Sequence, residues 1–476
     1  VTERLTSYGG AGADPLGAVA QLTRSADANG GRSSLEDFHR WWAARTAAGR
    51  FEVTEIPFAE LDDWHFEEAT GNLRHNSGRF FTIEGLQVRT GSVPTSSQPI
   101  INQSEIGVLG IVVKEFDGVL HCLMQAKMEP GNVNTLQLSP TVQATRSNYT
   151  KVHRGGNTRY LEYFTGPQRG RVLVDVLQSE QGAWFWRKRN RNVVVEVTED
   201  IPLHEDFCWL TLAQIRRLMR VDNLVNMDAR TVLSCMPFVE PGGQGREGDD
   251  AFTDALTRSY GRTAELDGGV HTTDEILSWF TEAKTRCDWS ARLIPLSEVD
   301  NWSATTSEIT DDEQRDFRII AVRVAATNRE VKQWTQPLLA PRGQGLAIFV
   351  ARPINGVLHL LVHARPEFGL LDALEMAPTV MLQPGEDVSA IADPLLKEVT
   401  TGEAGRLRYD TLLSEEGGRF HQALTRYQVV EVGEEFPVEV PEDFCWMTVR
   451  QLMELLRHGH YLNIEARSLL ACAYSL

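Results

Sequence analysis

Glu205-Asp-Phe-Cys-Trp209 returns letter for letter as Glu442-Asp-Phe-Cys-Trp446, and Asn226-x-x-Ala-Arg230 returns as Asn463-x-x-Ala-Arg467, both 237 positions later. Working back along the chain at an offset of 238, Gly118-Val-Leu-His121 is answered by Gly356-Val-Leu-His359, and Pro140-Thr-Val142 by Pro378-Thr-Val380. Gln98-Pro99, Ile56-Pro57, Trp64 and Trp41 find Gln336-Pro337, Ile294-Pro295, Trp302 and Trp279 in the same way. A collinear repeat of so long a period means two whole domains rather than a solenoid, and 476 residues exceed what one core organises. The copies are set at residues 35–236 and 271–476. Between them, 237–270 carries seven glycines and little apolar periodicity and reads as a linker. Its Gly243-Gln-Gly245-Arg-Glu-Gly248 matches a dinucleotide-binding pattern in letters only, because no buried strand leads in and no helix follows.

Inside each copy the middle reads as strands and the ends as helices. Val108–Val113, Val119–Ala126, Val172–Leu177 and Val193–Val197 are apolar or β-branched runs punctuated by turns such as Asp117-Gly118. Leu346–Val350, Val357–Ala364 and Gln428–Val432 are their partners. Thr211 and Thr448 are placed to cap helices whose apolar residues follow at helical spacing, and a second short helix follows Asn226 and Asn463. The fold class is α/β in the α+β sense: two tandem homologous domains, each a mixed β-sheet flanked by helices.

Composition bounds the function. With 42% hydrophobic and 24% charged residues, the chain is that of a globular protein rather than a disordered one. A net charge of −18 repels polyanions, so no nucleic-acid partner is expected. No apolar run is long enough for a membrane span and no secretory leader is evident, so a cytoplasmic location is expected. The six cysteines lack metal spacing and read as reduced packing residues. His121 and its partner His359 read as satisfied, half-buried histidines.

Polar chemistry gathers in the first copy. Strand alternation from Val119 sets His121, Leu123, Gln125 and Lys127 on one face, leading into Lys127-Met-Glu129-Pro-Gly-Asn132, which brings an amine and a carboxylate to a strand end. Thr141 to Arg154 then supplies Thr145, Arg146, Ser147, Asn148, Tyr149, His153 and Arg154, a poor core but a good ligand wall. A third group runs from Ser179-Glu180 through Trp184 to Arg187-Lys188-Arg189-Asn-Arg191. Its bases and indoles suit a diphosphate with a stacked base, while the plainer reading is a solvated charged strand edge.

At these residues the sequence resembles the NDP-hexose 2,3-dehydratases of bacterial deoxysugar and antibiotic biosynthesis. The resemblance covers nearly the whole chain and is most specific at Gln125-Ala-Lys-x-Glu-Pro-Gly-Asn132, Gln137-Leu-Ser-Pro-Thr-Val-Gln-Ala-Thr145, Ser147-Asn-Tyr149 and Ser179-Glu-Gln-Gly182. It implies a Nudix-like module per repeat, a homodimer without cofactor, and dTDP-4-keto-6-deoxy-D-glucose as substrate. The Nudix metal box is missing from both copies, and no Rossmann loop precedes a YxxxK pair, so neither metal nor nicotinamide is called for.

The implied chemistry needs a base for the C3 hydrogen, a donor at the C4 ketone, an acid for the C2 hydroxyl and cations for the diphosphate. Glu129 or His153 suits the base, Lys127 or Tyr149 the ketone or the leaving hydroxyl, and Arg146, Arg154, Arg187, Lys188 and Arg189 the phosphates. Gln125, Asn132, Thr145, Ser147, Asn148, Glu180 and Trp184 complete the substrate wall. A noncatalytic nucleotide-sugar binder, which would keep the wall and need no base, stays open, as does an assembly protein. In the second copy Lys127 is replaced by Arg365, Gln125 by His363 and Gln143 by Met381, while Glu129 persists as Glu367. Catalysis is therefore expected in the first copy, with the second mainly a structural partner.

Overall fold

The computed structural model of the chain describes residues 15–145, 158–167, 170–237, 250–261, 269–327 and 332–476. Each copy centres on a seven-stranded mixed sheet. In the first, strands Gly107–Phe116 and Val119–Met128 form a hairpin across Asp117 and Gly118, both at positive φ (51° and 80°), the geometry that suits the twist of a two-residue turn. Arg189–Val197 runs parallel to Gly107–Phe116, Arg171–Ser179 extends the sheet beyond it, and Phe207–Leu210 closes the other side on Val119–Met128. Gly345–Ile354, Val357–Pro366, Leu424–Glu431, Arg406–Ser414 and Phe444–Thr448 repeat the arrangement. The expected caps are present: Thr211 and Thr448 each close a capping box with a glutamine three residues on, Gln214 and Gln451, and Asn226 and Asn463 cap Met227–Ser234 and Ile464–Ala473.

His121 and His359 are satisfied as read. Each Nδ1–H donates to a backbone carbonyl, of Val119 or Val357, at 2.9 Å, and each Nε2 accepts a backbone N–H, from Arg32 or Val270, at 2.9 and 3.1 Å. All six cysteines are free thiols, and burial lifts Cys122 to about 12. Among the described residues no helix is long and apolar enough to cross a membrane.

The stretch read as linker holds a helix, Ala251–Tyr260, and Pro15–Ala26 lies ahead of the residue at which the first copy was begun. They are counterparts. Ser259 Oγ donates to Leu358 O at 2.6 Å and accepts from Val449 N at 2.8 Å; Ser25 Oγ does the same with Leu120 O and Leu212 N at 2.6 and 2.9 Å. The glycine match at 243–248 lies outside the described residues.

Two strands trade places between the copies. Phe51–Ile56 pairs antiparallel with Phe317–Ala326 of the second copy, from Phe51 opposite Ala326 to Ile56 opposite Ala321. Its counterpart Trp289–Ile294 crosses back onto Thr82–Thr90, from Trp289 opposite Thr90 to Ile294 opposite Gly85. Each smaller sheet thus contains a strand of the other copy.

The repeated arginines cross in the same sense. Arg230 and Arg467 have no solvent exposure. Arg230 donates to Val225 O at 2.8 Å within its helix approach and to Ser414 O of the second copy at 3.0 Å. Arg467 donates to Leu462 O at 2.6 Å and to Ser179 O of the first copy, and its Nε reaches Thr231 Oγ1 at 2.9 Å. A buried guanidinium is tolerated only when its donors are met, so each copy completes the other's most costly side chain. Substitution Arg467→Met keeps the bulk but leaves two buried carbonyls without donors, and should lower unfolding free energy by about 3 kcal/mol in urea denaturation; a wild-type midpoint would show the crossing to be dispensable.

Candidate functional site

Along Val119–Met128 the side chains alternate as the pattern requires. Leu120, Cys122 and Met124 enter the main core, whereas Gln125 and Lys127 reach a cavity of about 950 Å³ beyond the strand end. Lys127 Nζ stands 3.1 Å from Glu129 Oε1, and Gln143 Nε2 donates to the same oxygen at 2.8 Å. Gln143 is positioned in turn by Asn226, whose Nδ2 donates to its Oε1 at 3.2 Å while the Asn226 side chain caps the following helix. The repeated Asn226 motif therefore orients the polar pair of the site.

Glu180, Asp228 in the first turn of that helix, and Glu416 from the second copy bring further carboxyls to the cavity beside Glu129, and Asp62, Asp63, Glu205 and Asp206 also line it. Lys188 and Arg419 accompany them. Segment 416–420 comes close because Gly131 N donates to Gly417 O at 2.7 Å and Gln422 N donates to Gly131 O at 2.6 Å. A Cβ on Gly131 would lie 1.6 Å from Phe420 O, so only glycine permits this approach. The Arg419 guanidinium lies 4.4 Å over the Phe81 ring, and its Nε donates to Gln103 Oε1 at 3.1 Å.

Crowding shifts the ionisations. Burial, then the neighbouring Glu129 charge, lifts Glu416 to about 7 against the pull of Arg419. Burial also raises Asp228 well above the carboxylate range, with Glu416, Glu180 and Glu129 adding to it. Glu180 rises by burial while Arg467 and Lys188 oppose, and burial draws Lys188 down to about 8. Glu416 is thus partly protonated near neutrality, and Asp228 and Glu180 are shifted in the same direction.

Of the residues read from sequence, Gln125, Lys127, Glu129, Thr145, Glu180 and Lys188 line the cavity. Others do not. Asn132 is buried in a turn, its Nδ2 donating to Thr135 O at 3.2 Å. Trp184 is core, edge-on to Phe420 of the second copy with ring centroids 4.6 Å apart. The basic cluster disperses, since Arg187, at φ 50°, and Lys188 precede the strand Arg189–Val197, and only Arg189 and Arg191, two residues apart, lie within it. Arg187 lies over the Trp186 ring at 4.4 Å, Arg189 sits opposite Ser179 in the sheet, and Arg191 pairs with Asp175 at 2.6 Å. Only Lys188 of the group turns into the cavity. Arg146, Ser147, Asn148, Tyr149, His153 and Arg154 lie outside the described residues.

Asp228, Glu416 and Arg419 were not singled out from sequence. Asp228 hid in an unspecified position of the Asn226 motif, though its counterpart Glu465 is also acidic. Glu416 and Arg419 belong to a copy assigned a structural part, and nothing local in their sequence points across the interface.

The counterpart positions in the second copy hold different contacts. His363 stacks on Phe444 with centroids 4.4 Å apart and its Nε2 lies 3.1 Å from Asp443, while Glu367 accepts from Asn463 Nδ2 at 2.8 Å.

The family model described as NDP-hexose 2,3-dehydratase matches residues 35–236 and again 273–473. A protein of Saccharopolyspora spinosa named dTDP-4-dehydro-6-deoxy-alpha-D-glucopyranose 2,3-dehydratase is 54% identical over 92% of this chain and 91% of its own length. Proteins of the same name from Amycolatopsis orientalis and Streptomyces violaceoruber are 47% and 50% identical, over 94% and 92% of this chain and 92% and 97% of theirs. Among solved structures, an Ap4A hydrolase of C. elegans aligns with 24% of this chain and 86% of its own at 13% identity and a TM-score of 0.18; the architecture described above rests on the sheet topology itself.

Because the folded-state value of Glu416 lies above its unfolded one, folding takes up a proton between about pH 5 and 7, and the associated stability is full at low pH and lost as pH rises through about 7. Glu416→Gln should therefore match wild type in urea denaturation at pH 5 and exceed it at pH 8. The same difference at both pH values would contradict this assignment.

Proposed function

The chain belongs to the NDP-hexose 2,3-dehydratase family, and from that premise we propose that it removes water across C2 and C3 of dTDP-4-keto-6-deoxy-D-glucose, giving the 3,4-diketo-2,6-dideoxy sugar. The observation that carries the reading is the Lys127–Glu129 pair, 3.1 Å apart, at the wall of a cavity large enough for a nucleotide sugar. The C4 ketone acidifies the C3 hydrogen, so the electron sink is in the substrate and no cofactor is required. Glu129, held as an acceptor by Lys127 and Gln143, takes the C3 proton. Lys127 stabilises the charge that develops on the ketone oxygen. Lys188 within, with Arg45 and Arg159 on the same wall, offers cations to the diphosphate.

The reading assigns catalysis to the copy at 35–236 and includes a homodimer in the cytoplasm serving antibiotic deoxysugar synthesis. It modifies one expectation, for the second copy lends side chains to the cavity and is more than a structural partner.

Incubation with dTDP-4-keto-6-deoxyglucose in the presence of a chelator should give a product lighter by one water in mass spectrometry. Glu129→Gln should lower kcat by about 10²–10⁴, the range of a lost general base, while Glu367→Gln leaves turnover within a few-fold. Equal losses from the two would place the chemistry between the copies, and a larger loss from Glu367→Gln would move it to the second copy.

A further inference from the structure

The two segments that cross between copies are counterparts of unlike chemistry. Phe185 bridges Ile101 in the first copy as Phe420 bridges Leu339 in the second, which aligns Glu416 with Gln181 and Arg419 with Trp184. Gln181 and Trp184 serve packing: the amide Nε2 donates to Glu415 at 2.9 Å and the indole lies against Phe420. Glu416 and Arg419 instead line the first copy's cavity. Glu416 Oε1 accepts from Gly418 N at 3.1 Å, and its Oε2 is shielded from solvent without a hydrogen-bond partner among the described residues. The segment lies against Glu129, since a Cβ built on Gly417 would stand 3.1 Å from Glu129 Cβ.

Resting on the dehydratase reading above, we infer that Glu416 is the acid that protonates the departing C2 hydroxyl, so that the first copy supplies the base and the second the acid of one active site. The two carboxyls differ in what surrounds them. Glu129 Oε1 takes an ammonium at 3.1 Å and an amide donor at 2.8 Å, the setting of a proton acceptor. Glu416, although Arg419 and Lys127 stand near it, has one backbone donor on one oxygen, no hydrogen-bond partner among the described residues on the other, and Glu129 and Glu180 beside it, the setting of a carboxyl that retains a proton. Glu129 takes the C3 proton and the C3–H electrons form the enolate toward the C4 oxygen. The C4 carbonyl then re-forms, a C2–C3 double bond closes, and the C2–O bond breaks as Glu416 gives its proton to the oxygen, releasing water. The C3 enol that results takes a proton at C2 from Glu129 and loses its hydroxyl proton to Glu416, which restores both groups.

The order of steps supplies the test. In D₂O, Glu416→Gln should still wash deuterium into C3 of unreacted substrate, seen by mass spectrometry and NMR, while water loss falls about 100-fold or more. Glu129→Gln should lose both exchange and dehydration. Retained exchange also certifies that the variant is folded; if Glu416→Gln proves insoluble, Glu416→Asp keeps the acid but withdraws it by one methylene, and should show the same split in milder form. Dehydration by Glu416→Gln within a few-fold of wild type, or loss of exchange together with dehydration in a variant of native unfolding midpoint, would overturn the assignment. Wild type that releases no water from this substrate would instead overturn the dehydratase reading itself.

Discussion

Two guanidinium groups without solvent exposure, Arg230 and Arg467, set the terms for this molecule. A buried cation must have its donors satisfied, and each of these spends part of its donors on a carbonyl of the other copy. Neither copy can therefore be completed alone. The exchanged strands Phe51–Ile56 and Trp289–Ile294 and the contact of Gly131 with Gly417 act in the same direction. The cavity forms where these crossings bring the second copy's segment over the strand end of the first.

Its electrostatics need the same closeness. Carboxyls outnumber cations along the cavity wall, an excess that would ordinarily repel a diphosphate. Burial raises Asp228, Glu180 and Glu416, so protons replace part of that negative charge. An overall acidic chain can in this way accept an anionic ligand through Lys188, Arg45 and Arg159 without a strongly basic surface.

What was legible in sequence was what is decided locally. The Thr211 and Asn226 caps, the Asp117-Gly118 turn and the alternation of Val119–Met128 each depend on residues within a few positions. The repeat made them readable twice. Glu129 and Lys127 were found because a strand running into a tight turn brings neighbours together. The strand exchange was not legible, since Phe51–Ile56 would satisfy its backbone equally against Thr82–Thr90 of its own copy. Helix Ala251–Tyr260 was hidden although Leu22-Thr-Arg-Ser25 returns in it as Leu256-Thr-Arg-Ser259, because that short word recurs at an offset of 234 instead of 237 or 238 and the flanking glycines read as a linker. The basic run misled for a related reason: four bases in five residues look like a patch, but the left-handed turn at Arg187 ahead of the strand Arg189–Val197 separates them and Asp175 neutralises one.

The crossing segments also bear on symmetry. An exchange in which each half closes over the other is the arrangement a two-fold dimer of single repeats would make. In such a dimer every substitution appears at both sites, so a segment tuned to cover one must cover its twin identically. Joined in one chain, the halves are released from that identity. Gln181 and Trp184 can hold one side shut while Glu416 and Arg419 open the other to chemistry. Covalent fusion thus contributes something no added contact does: it lets a protein with two equivalent surfaces specialise them separately while keeping the interface that both require.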